Sequence, residues 1–313
     1  PYSKIFFIAC LCFIGSIFII SSIFFKEPSA LKNSSTSSSD PFNSIKEKFR
    51  EVINTNLPNP QSAILSGILL GDKASFSYEW KQKLSNTGTS HIVAVSGMNI
   101  VMLSSILVAL GVAFGLYRGQ ALFFSLVFIW IFIALVGFQP SVIRAGIMGS
   151  VLILCGLLGR QGASFRVLVL AVAIMLAINP TLLRYNLSFQ LSVLATLGLI
   201  QLSPVIINKL SKFKVFKNKE FAEIVSATIS AQTFTLPLLI YTFNNVSLVG
   251  LPVNILIVPL LSVVMVLGII FLLGALIYNP LGVVLAWPVG ALLSFIVWVI
   301  DIFSKVPFAI LRF

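Results

Sequence analysis

Long apolar runs recur along this chain, and they constrain its fold more than any other feature. The first lies between Lys4 and Lys26, and the others follow one another from about residue 89 to residue 303. About 20 apolar residues span the hydrocarbon core of a bilayer as a helix. Only 10% of the residues are charged, whereas a soluble domain carries about 25%, and the runs lack the alternation of membrane β-barrel strands. The sequence therefore predicts an all-α fold, a polytopic helical membrane protein.

About nine spanning helices are predicted. They cover residues 5–25, 89–116, 120–138, 140–159, 165–179, 186–203, 221–243, 248–276 and 281–303. Two prolines, Pro252 and Pro259, predict a kinked or broken helix in the eighth of these. An N-terminus on the cytoplasmic side places the lysine-rich stretch 209–219 in a cytoplasmic loop, as the positive-inside rule expects.

Composition divides the chain into four regions. Residues 1–26 are an N-terminal membrane helix, and residues 27–57 hold a Ser-rich linker followed by an amphipathic helix. Residues 58–305 form the main membrane domain, and residues 306–313 form a tail. Near the start of the main domain, the apolar stretch Ala63–Gly71 is too short to span a bilayer, which predicts a re-entrant or interfacial segment.

The stretch HIVAVSGMNI, residues 91–100, places polar side chains inside an apolar run. At helical spacing His91, Ser96 and Asn99 can share one face, and Gly97 permits a close backbone approach. Such a group of polar residues predicts either a polar cavity or helix packing through small residues, and both interpretations stay open. A serine-hydrolase site is excluded, because the residues around Ser96 do not form the pattern Gly-x-Ser-x-Gly.

The stretch FQPSVIRAG, residues 138–146, carries a cation within an apolar segment. Pro140 is expected to begin a helix, which places Arg144 about one turn inside it. An arginine in a membrane helix indicates a functional role, unless its side chain extends to the interface. Since no acid is close in sequence, Asp72 of the stretch GILLGDK is a hypothetical partner for Arg144 or for His91.

Further hydroxyl and amide side chains lie in the second half of the chain. Ser188, Ser192 and Thr196 form a stripe at helical spacing, which usually mediates helix packing. Three isolated amides are harder to explain by packing, because a buried amide needs hydrogen-bond partners; they are Gln190, Gln232 and Asn254.

The charges of the chain exclude several kinds of site. No carboxylate occurs between Glu79 and Glu220, which suits an anionic passenger, although the positive-inside rule also explains a basic excess. With one histidine and three cysteines, the chain has too few ligands for a typical zinc site. We expect no metal, no cofactor and no catalytic residue.

Six motifs occur in order: GILLGDK, TGTSHIVAVSGMNI, FQPSVIRAGIM, NP…LSFQLSVLATLGL, SAQTFTLPLLIY and LPVNILIVPL. This series resembles the competence domain of the ComEC family, bacterial inner-membrane proteins that take up transforming DNA. The resemblance implies that residues 58–305 form a competence-type channel in the bacterial cytoplasmic membrane, which conducts single-stranded DNA. Residues expected to line the path are Asp72, His91, Ser96, Asn99, Arg144, Gln190, Ser192, Gln232 and Asn254. Positions expected to shape the motifs are Gly97, Pro140, Asn179, Pro180, Pro237 and Pro259.

The resemblance also implies partners. Nothing in the sequence resembles a nucleotide-binding loop, so the energy is expected from a separate cytoplasmic ATPase. The nuclease-like domain of many family members needs several His and Asp ligands, so we expect this chain not to cut DNA and an external nuclease to act separately. Single-stranded DNA and the lipid bilayer are the other expected partners. Three alternatives stay open: a transporter or flippase for another anion, a membrane-embedded enzyme using His91, and a purely structural subunit.

Overall fold

The computed structural model describes residues 41–72, 76–93, 97–157, 164–210, 219–243, 245–247, 249–306 and 310–312. The predicted first membrane helix, the Ser-rich linker and Ser96 lie outside these residues. The described part is almost entirely helical, which confirms the predicted all-α class. Its two strands are only three residues long each.

Three short helices come first: α1 (Pro41–Asn56), α2 (Gln61–Leu70) and α3 (Tyr78–Asn86). Helix α1 begins at a proline, whose missing N–H costs nothing in a first turn. Helix α2 is buried from its second residue to its last, and it ends where Gly71 adopts a left-handed φ of 72°. The hydroxyl of Ser77 accepts a hydrogen bond from the Trp80 N–H at the start of α3.

Ten helices and two strands follow. The helices are α4 (Gly97–Ala113), α5 (Arg118–Val136), α6 (Pro140–Leu157), α7 (Ser164–Ile178), α8 (Leu182–Tyr185), α9 (Leu187–Gln201), α10 (Ser203–Leu210), α11 (Lys219–Phe243), α12 (Gly250–Ile277) and α13 (Asn279–Ser304). Strands β1 (Asn245–Ser247) and β2 (Ile310–Arg312) pair in an antiparallel ribbon, with Val246 opposite Leu311. Helix α12 continues through Pro259 as one element, so the predicted break does not occur there, while the predicted kink stays a prediction.

The segment around His91 differs from its prediction. It was expected inside a helix starting near residue 89, but it lies in a turn, and α4 begins at Gly97. The turn forms because Gly88 adopts a left-handed φ of 66° and the hydroxyls of Thr87 and Thr89 bond to each other at 2.7 Å. His91 therefore does not share a helical face with Asn99.

Among the described residues, four helices are long and apolar enough to cross a membrane: α5 and α12 over their whole length, and α11 and α13 over the greater part of theirs. The pair α9 and α10, bent by 43°, makes a fifth if it is counted as one span. Among the described residues, four further apolar helices have only 10–17 residues, so the count of nine is not reached by length alone. Large apolar side chains such as Phe123 and Trp298 remain exposed on the long helices, as lipid-facing residues do. The protein is a multi-pass membrane protein.

Three clusters of buried apolar residues organise the helices. In the largest, α2 packs against α12 and α13, and this explains why so short a helix is buried rather than interfacial. A second cluster joins α6, α7 and α9 around Phe189. A third joins α4, α5 and α6 around Ile129 and Ile133. Helix α6 belongs to both smaller clusters, so its residues face neighbours on two sides.

Candidate functional site

Arg144 is the centre of the candidate site. It lies on α6, one turn after Pro140, and only 7% of its surface is exposed. Its Nε donates a hydrogen bond of 2.8 Å to the hydroxyl of Ser192, and its Nη1 donates to the hydroxyl of Thr196, both on α9. The Nη1 also lies 3.4 Å from the sulfur of Met148. A buried guanidinium is thus held by neutral groups of two helices.

Gly97 at the start of α4 completes this arrangement. A Cβ added at that position would lie 3.1 Å from Nη2 of Arg144 and 3.3 Å from the Cβ of Ala145. A larger side chain would therefore push against the guanidinium group. The structure brings together three predicted site residues, Gly97, Arg144 and Ser192, and the close approach favours a small residue at position 97.

Asp72 has a different partner from the one predicted. Its Oδ2 lies 2.8 Å from Nη2 of Arg50 on α1, and its side chain is 11% exposed. The hypothesis that Asp72 pairs with Arg144 or His91 is therefore replaced by a pair between α1 and the end of α2. The physical reason is the left-handed turn at Gly71, which ends α2 beside α1.

Two more contacts join this region to the loop between α5 and α6. The ammonium group of Lys46 on α1 donates a hydrogen bond of 3.2 Å to the carbonyl of Val136, where the negative end of the α5 dipole favours a cation. The side-chain amide of Gln139 donates to the carbonyl of Gly71 at 3.4 Å. The loop that leads into the Arg144 helix is thus held by both α1 and α2.

Asn99 and Gln190 bond to backbone carbonyls. Asn99, which is 4% exposed, donates a hydrogen bond of 3.3 Å to Ile68 and so joins α4 to α2. Gln190 donates to the carbonyls of Leu183 at 2.7 Å and Arg184 at 3.1 Å. These bonds satisfy carbonyl groups at helix ends. That either residue also lines a path stays a prediction.

A second group of polar residues surrounds the start of α12. A Cβ added to Gly250 would be in ordinary van der Waals contact with this group, 3.6 Å from the Gln232 amide nitrogen and 3.5 Å from the Thr87 carbonyl oxygen. The hydroxyl of Ser247 donates to the Asn86 carbonyl at 2.7 Å. Gln232 therefore lies beside the turn that carries His91, and Nδ1 of His91 is 3.0 Å from the carbonyl of Gly88.

Asn254 lies one turn further along α12. It is 4% exposed, and its Oδ1 has no hydrogen-bond partner within the described part of the chain. Buried acceptors are normally paired, which makes Asn254 a candidate contact for a polar ligand.

The predicted motif residues shape the ends and interiors of helices. The Asn179 carboxamide oxygen accepts hydrogen bonds from the N–H of Thr181 at 3.1 Å and from its hydroxyl at 2.6 Å. This turn, which includes Pro180, ends α7. Pro140 begins α6 as predicted, and Pro237 and Pro259 lie inside α11 and α12.

Helix α3 is attached to the end of α13 by charges. The ammonium group of Lys83 lies 2.8 Å from Oδ1 of Asp301 and 2.8 Å from Oε1 of Glu79. The hydrogen bond with Asp301, and then the one with Glu79, raise the pKa of Lys83 above its usual value. Lys83 stays protonated at neutral pH, so this attachment persists there.

Two partners of the central arginine were missed from the sequence. The sequence places Thr196 in a stripe of hydroxyls typical of helix packing, and it gives no signal that Met148 contacts Arg144. The signal for Thr196 was its position four residues after Ser192, because such residues lie on one helical face. A stripe of hydroxyls opposite a lone buried arginine is a sufficient reason to test their contact.

Known proteins resemble most of this chain. The family profile named Competence protein matches residues 68–313. "ComE operon protein 3" of Bacillus subtilis is 27% identical over 216 residues, which are 69% of this chain and 27% of the relative. "Uncharacterized protein YcaI" of Escherichia coli is 24% identical over 256 residues, 72% of this chain and 31% of the relative.

The chain thus spans less than a third of the length of these curated relatives. No solved structure matches it. The profile match covers well over half of the chain, and it includes the motifs that carry Arg144, Gln232 and Asn254. The chain therefore belongs to the competence protein family.

Proposed function

We propose that this protein takes part in DNA uptake, as the membrane conduit through which one DNA strand enters the cytoplasm across the bacterial inner membrane. Membership of the competence protein family supports a role in uptake. The observation that carries the finer proposal is Arg144, a buried cation whose hydrogen-bond partners among the described residues are all neutral.

The chemistry of Arg144 suits a passing phosphate. A guanidinium group presents several N–H donors in a plane that matches phosphate oxygens. The hydroxyls of Ser192 and Thr196 orient the group without cancelling its charge, as a carboxylate would. An anion that reaches the site therefore meets a full positive charge in a fixed orientation.

The surroundings favour the same substrate. The sequence has no carboxylate between Glu79 and Glu220, so helices α4 to α10 present no fixed negative charge of their own to a polyanion. Binding of single-stranded nucleic acid depends on such electrostatic attraction together with base stacking. Gln232 and Asn254 add hydrogen-bonding groups at a second place on α11 and α12.

Transport along a conduit needs an energy source and a single strand. The sequence contains no nucleotide-binding loop, so the proposal includes a separate cytoplasmic ATPase that pulls the strand. It also includes an external nuclease that removes the other strand. The lysine-rich stretch 209–219 is the expected contact for that ATPase or for the emerging DNA.

The test is uptake of fluorescently labelled DNA into a transformable host that lacks its own competence channel but supplies the other partners. Cells expressing the wild-type chain are compared with Arg144→Gln and Arg144→Lys, each matched for abundance in the membrane. Arg118→Gln is the control, because Arg118 is an exposed arginine at the start of α5.

We expect Arg144→Gln to lower cytoplasmic label at least about tenfold, equivalent to roughly 1.4 kcal/mol. Arg144→Lys should retain part of it, since the charge remains while the planar geometry is lost. Arg118→Gln should stay within about twofold of wild type, less than 1 kcal/mol. Uptake that is unchanged in Arg144→Gln would contradict the conduit.

A further inference from the structure

The loop between α5 and α6 presents an aromatic side chain in an unusual conformation. Phe138 has a φ of 52°, in the left-handed region where a bulky residue is a rare outlier. Its ring is not buried to compensate, because the residue is 56% exposed. Glycine precedes it at position 137, with a φ of 100°. Residues held in such conformations cluster at ligand-binding sites.

The backbone around Phe138 is fixed from several directions. The N–H groups of Gly137 and Phe138 both donate to the carbonyl of Ile133, at 3.1 and 3.2 Å. Lys46 of α1 donates a hydrogen bond to the Val136 carbonyl at the end of α5, and Gln139 donates one to the Gly71 carbonyl at the end of α2. Because the loop is held on both sides, the backbone of Phe138 cannot move far without breaking these contacts.

The ring lies next to the candidate path. Phe138 precedes the first residue of α6 by two positions, and Arg144 lies four residues into that helix, about 6 Å along its axis. The ammonium group of Lys46 is close to the same loop, 3.6 Å from where a Cβ of Gly137 would be. The acids nearby, Glu47 and Asp72, are each paired with Arg50.

We infer that Phe138 is a stacking platform for a base of single-stranded DNA, at the end of α6 from which the strand reaches Arg144. The inference rests on the proposed function. Binding of single strands without sequence preference combines cations that follow the backbone with aromatic rings on which bases stack. Phe138 supplies the ring, Lys46 of α1 supplies a cation beside the same loop, and Arg144 supplies a second cation within the first two turns of α6.

The competing explanation is contact with lipid, which many exposed apolar residues of this protein make. Phe123 provides a matched control, since it is also 56% exposed but lies in the regular helix α5. A lipid-facing role requires an apolar side chain, whereas stacking requires a flat ring. Leucine and tryptophan separate the two requirements at position 138.

The experiment measures binding of a fluorescent oligothymidylate to the full chain in lipid nanodiscs, by anisotropy over a series of salt concentrations. The variants are Phe138→Leu, Phe138→Trp, Phe123→Leu and Arg144→Gln. We expect Phe138→Leu to weaken binding about tenfold, with Phe138→Trp and Phe123→Leu within about twofold of wild type. A Phe138→Gly variant, which relieves the left-handed backbone, should fold and also bind weakly.

The salt dependence separates this inference from the proposed function. Loss of stacking lowers affinity with an unchanged salt slope, whereas loss of Arg144 reduces the slope by about one unit. If Phe138→Leu binds like wild type, or if Phe138→Trp binds as weakly as Phe138→Leu, the stacking inference is overturned. Weakened binding by Arg144→Gln in the same experiment would still support the proposed conduit. Absence of binding by the wild-type chain would overturn both.

Discussion

Replacement of Arg144 by methionine should remove the function of the site while leaving the free energy of unfolding nearly unchanged. Methionine is shorter than arginine, but its unbranched side chain fills the space that the arginine stem occupies between α6 and α9. Thr196 keeps a hydrogen bond, because its hydroxyl also donates to the Ser192 carbonyl at 2.9 Å. The substitution therefore removes a charge without leaving a large cavity.

The magnitude follows from two opposing contributions. Two hydrogen bonds from a charged donor to the hydroxyls of Ser192 and Thr196 are worth about 1.5–3 kcal/mol each. Burying the guanidinium costs several kcal/mol, and no carboxylate offsets that cost among its contacts in the described residues. Since the two contributions nearly cancel, Arg144→Met should change the free energy of unfolding by no more than about 1 kcal/mol.

The assay is reversible unfolding of the purified protein in detergent, followed by circular dichroism, for wild type and Arg144→Met side by side. Uptake of labelled DNA is measured with the same two proteins in cells. A loss above about 3 kcal/mol would mean that Arg144 stabilises the fold as a buried network does. Reduced uptake by Arg144→Met could then result from unfolding rather than from loss of a DNA contact, and the expected cancellation of the two contributions would be wrong.

Two further predictions concern packing and the attachment of α1. Gly198→Ala should lower the free energy of unfolding by about 1–3 kcal/mol, because the added Cβ would clash with the carbonyl oxygen of Ser230 on α11. Gly149→Ala should raise the free energy of unfolding by up to about 1 kcal/mol, because nothing lies within 4 Å of the added Cβ. Equal melting temperatures of the two variants would contradict the packing of Gly198 against α11. Asp72→Asn should weaken the contact with Arg50 by about 1–2 kcal/mol, which should speed proteolysis within α1. Glu47→Gln is the control and should change the cleavage rate little, because the Glu47 side chain is 66% exposed.

The ends of the helices were largely predictable from the sequence, because local chemistry determines them. Pro41 and Pro140 each begin a helix where their missing N–H is harmless. Asn179 followed by proline ends α7 through a turn that its own side chain supports. Such signals act over a few residues, so a single sequence is enough to read them.

The partners of the polar residues were not predictable in the same way. Helical spacing showed that Ser192 and Thr196 share a face, but not that the face meets Arg144. Asp72 is suggested as a partner of Arg144 or His91 because no acid lies near Arg144 in sequence, whereas its partner Arg50 lies on an amphipathic helix expected to rest on the membrane or on the protein. Pairing across helices depends on how the helices pack, which periodicity alone does not determine.

The contacts described here converge on the first two turns of α6. Lys46 and Gln139 hold the loop before it, Gly97 approaches it from α4, and α9 orients its arginine through two hydroxyls. A guanidinium group already fixed in one orientation loses little side-chain entropy when an anion binds. Because its partners are neutral hydroxyls, a phosphate of the proposed strand can displace them without first breaking an ion pair, and the hydroxyls can bond to the guanidinium again when the phosphate leaves. The proposed conduit needs such a contact, which binds each phosphate of the strand firmly enough to admit it and weakly enough to release it.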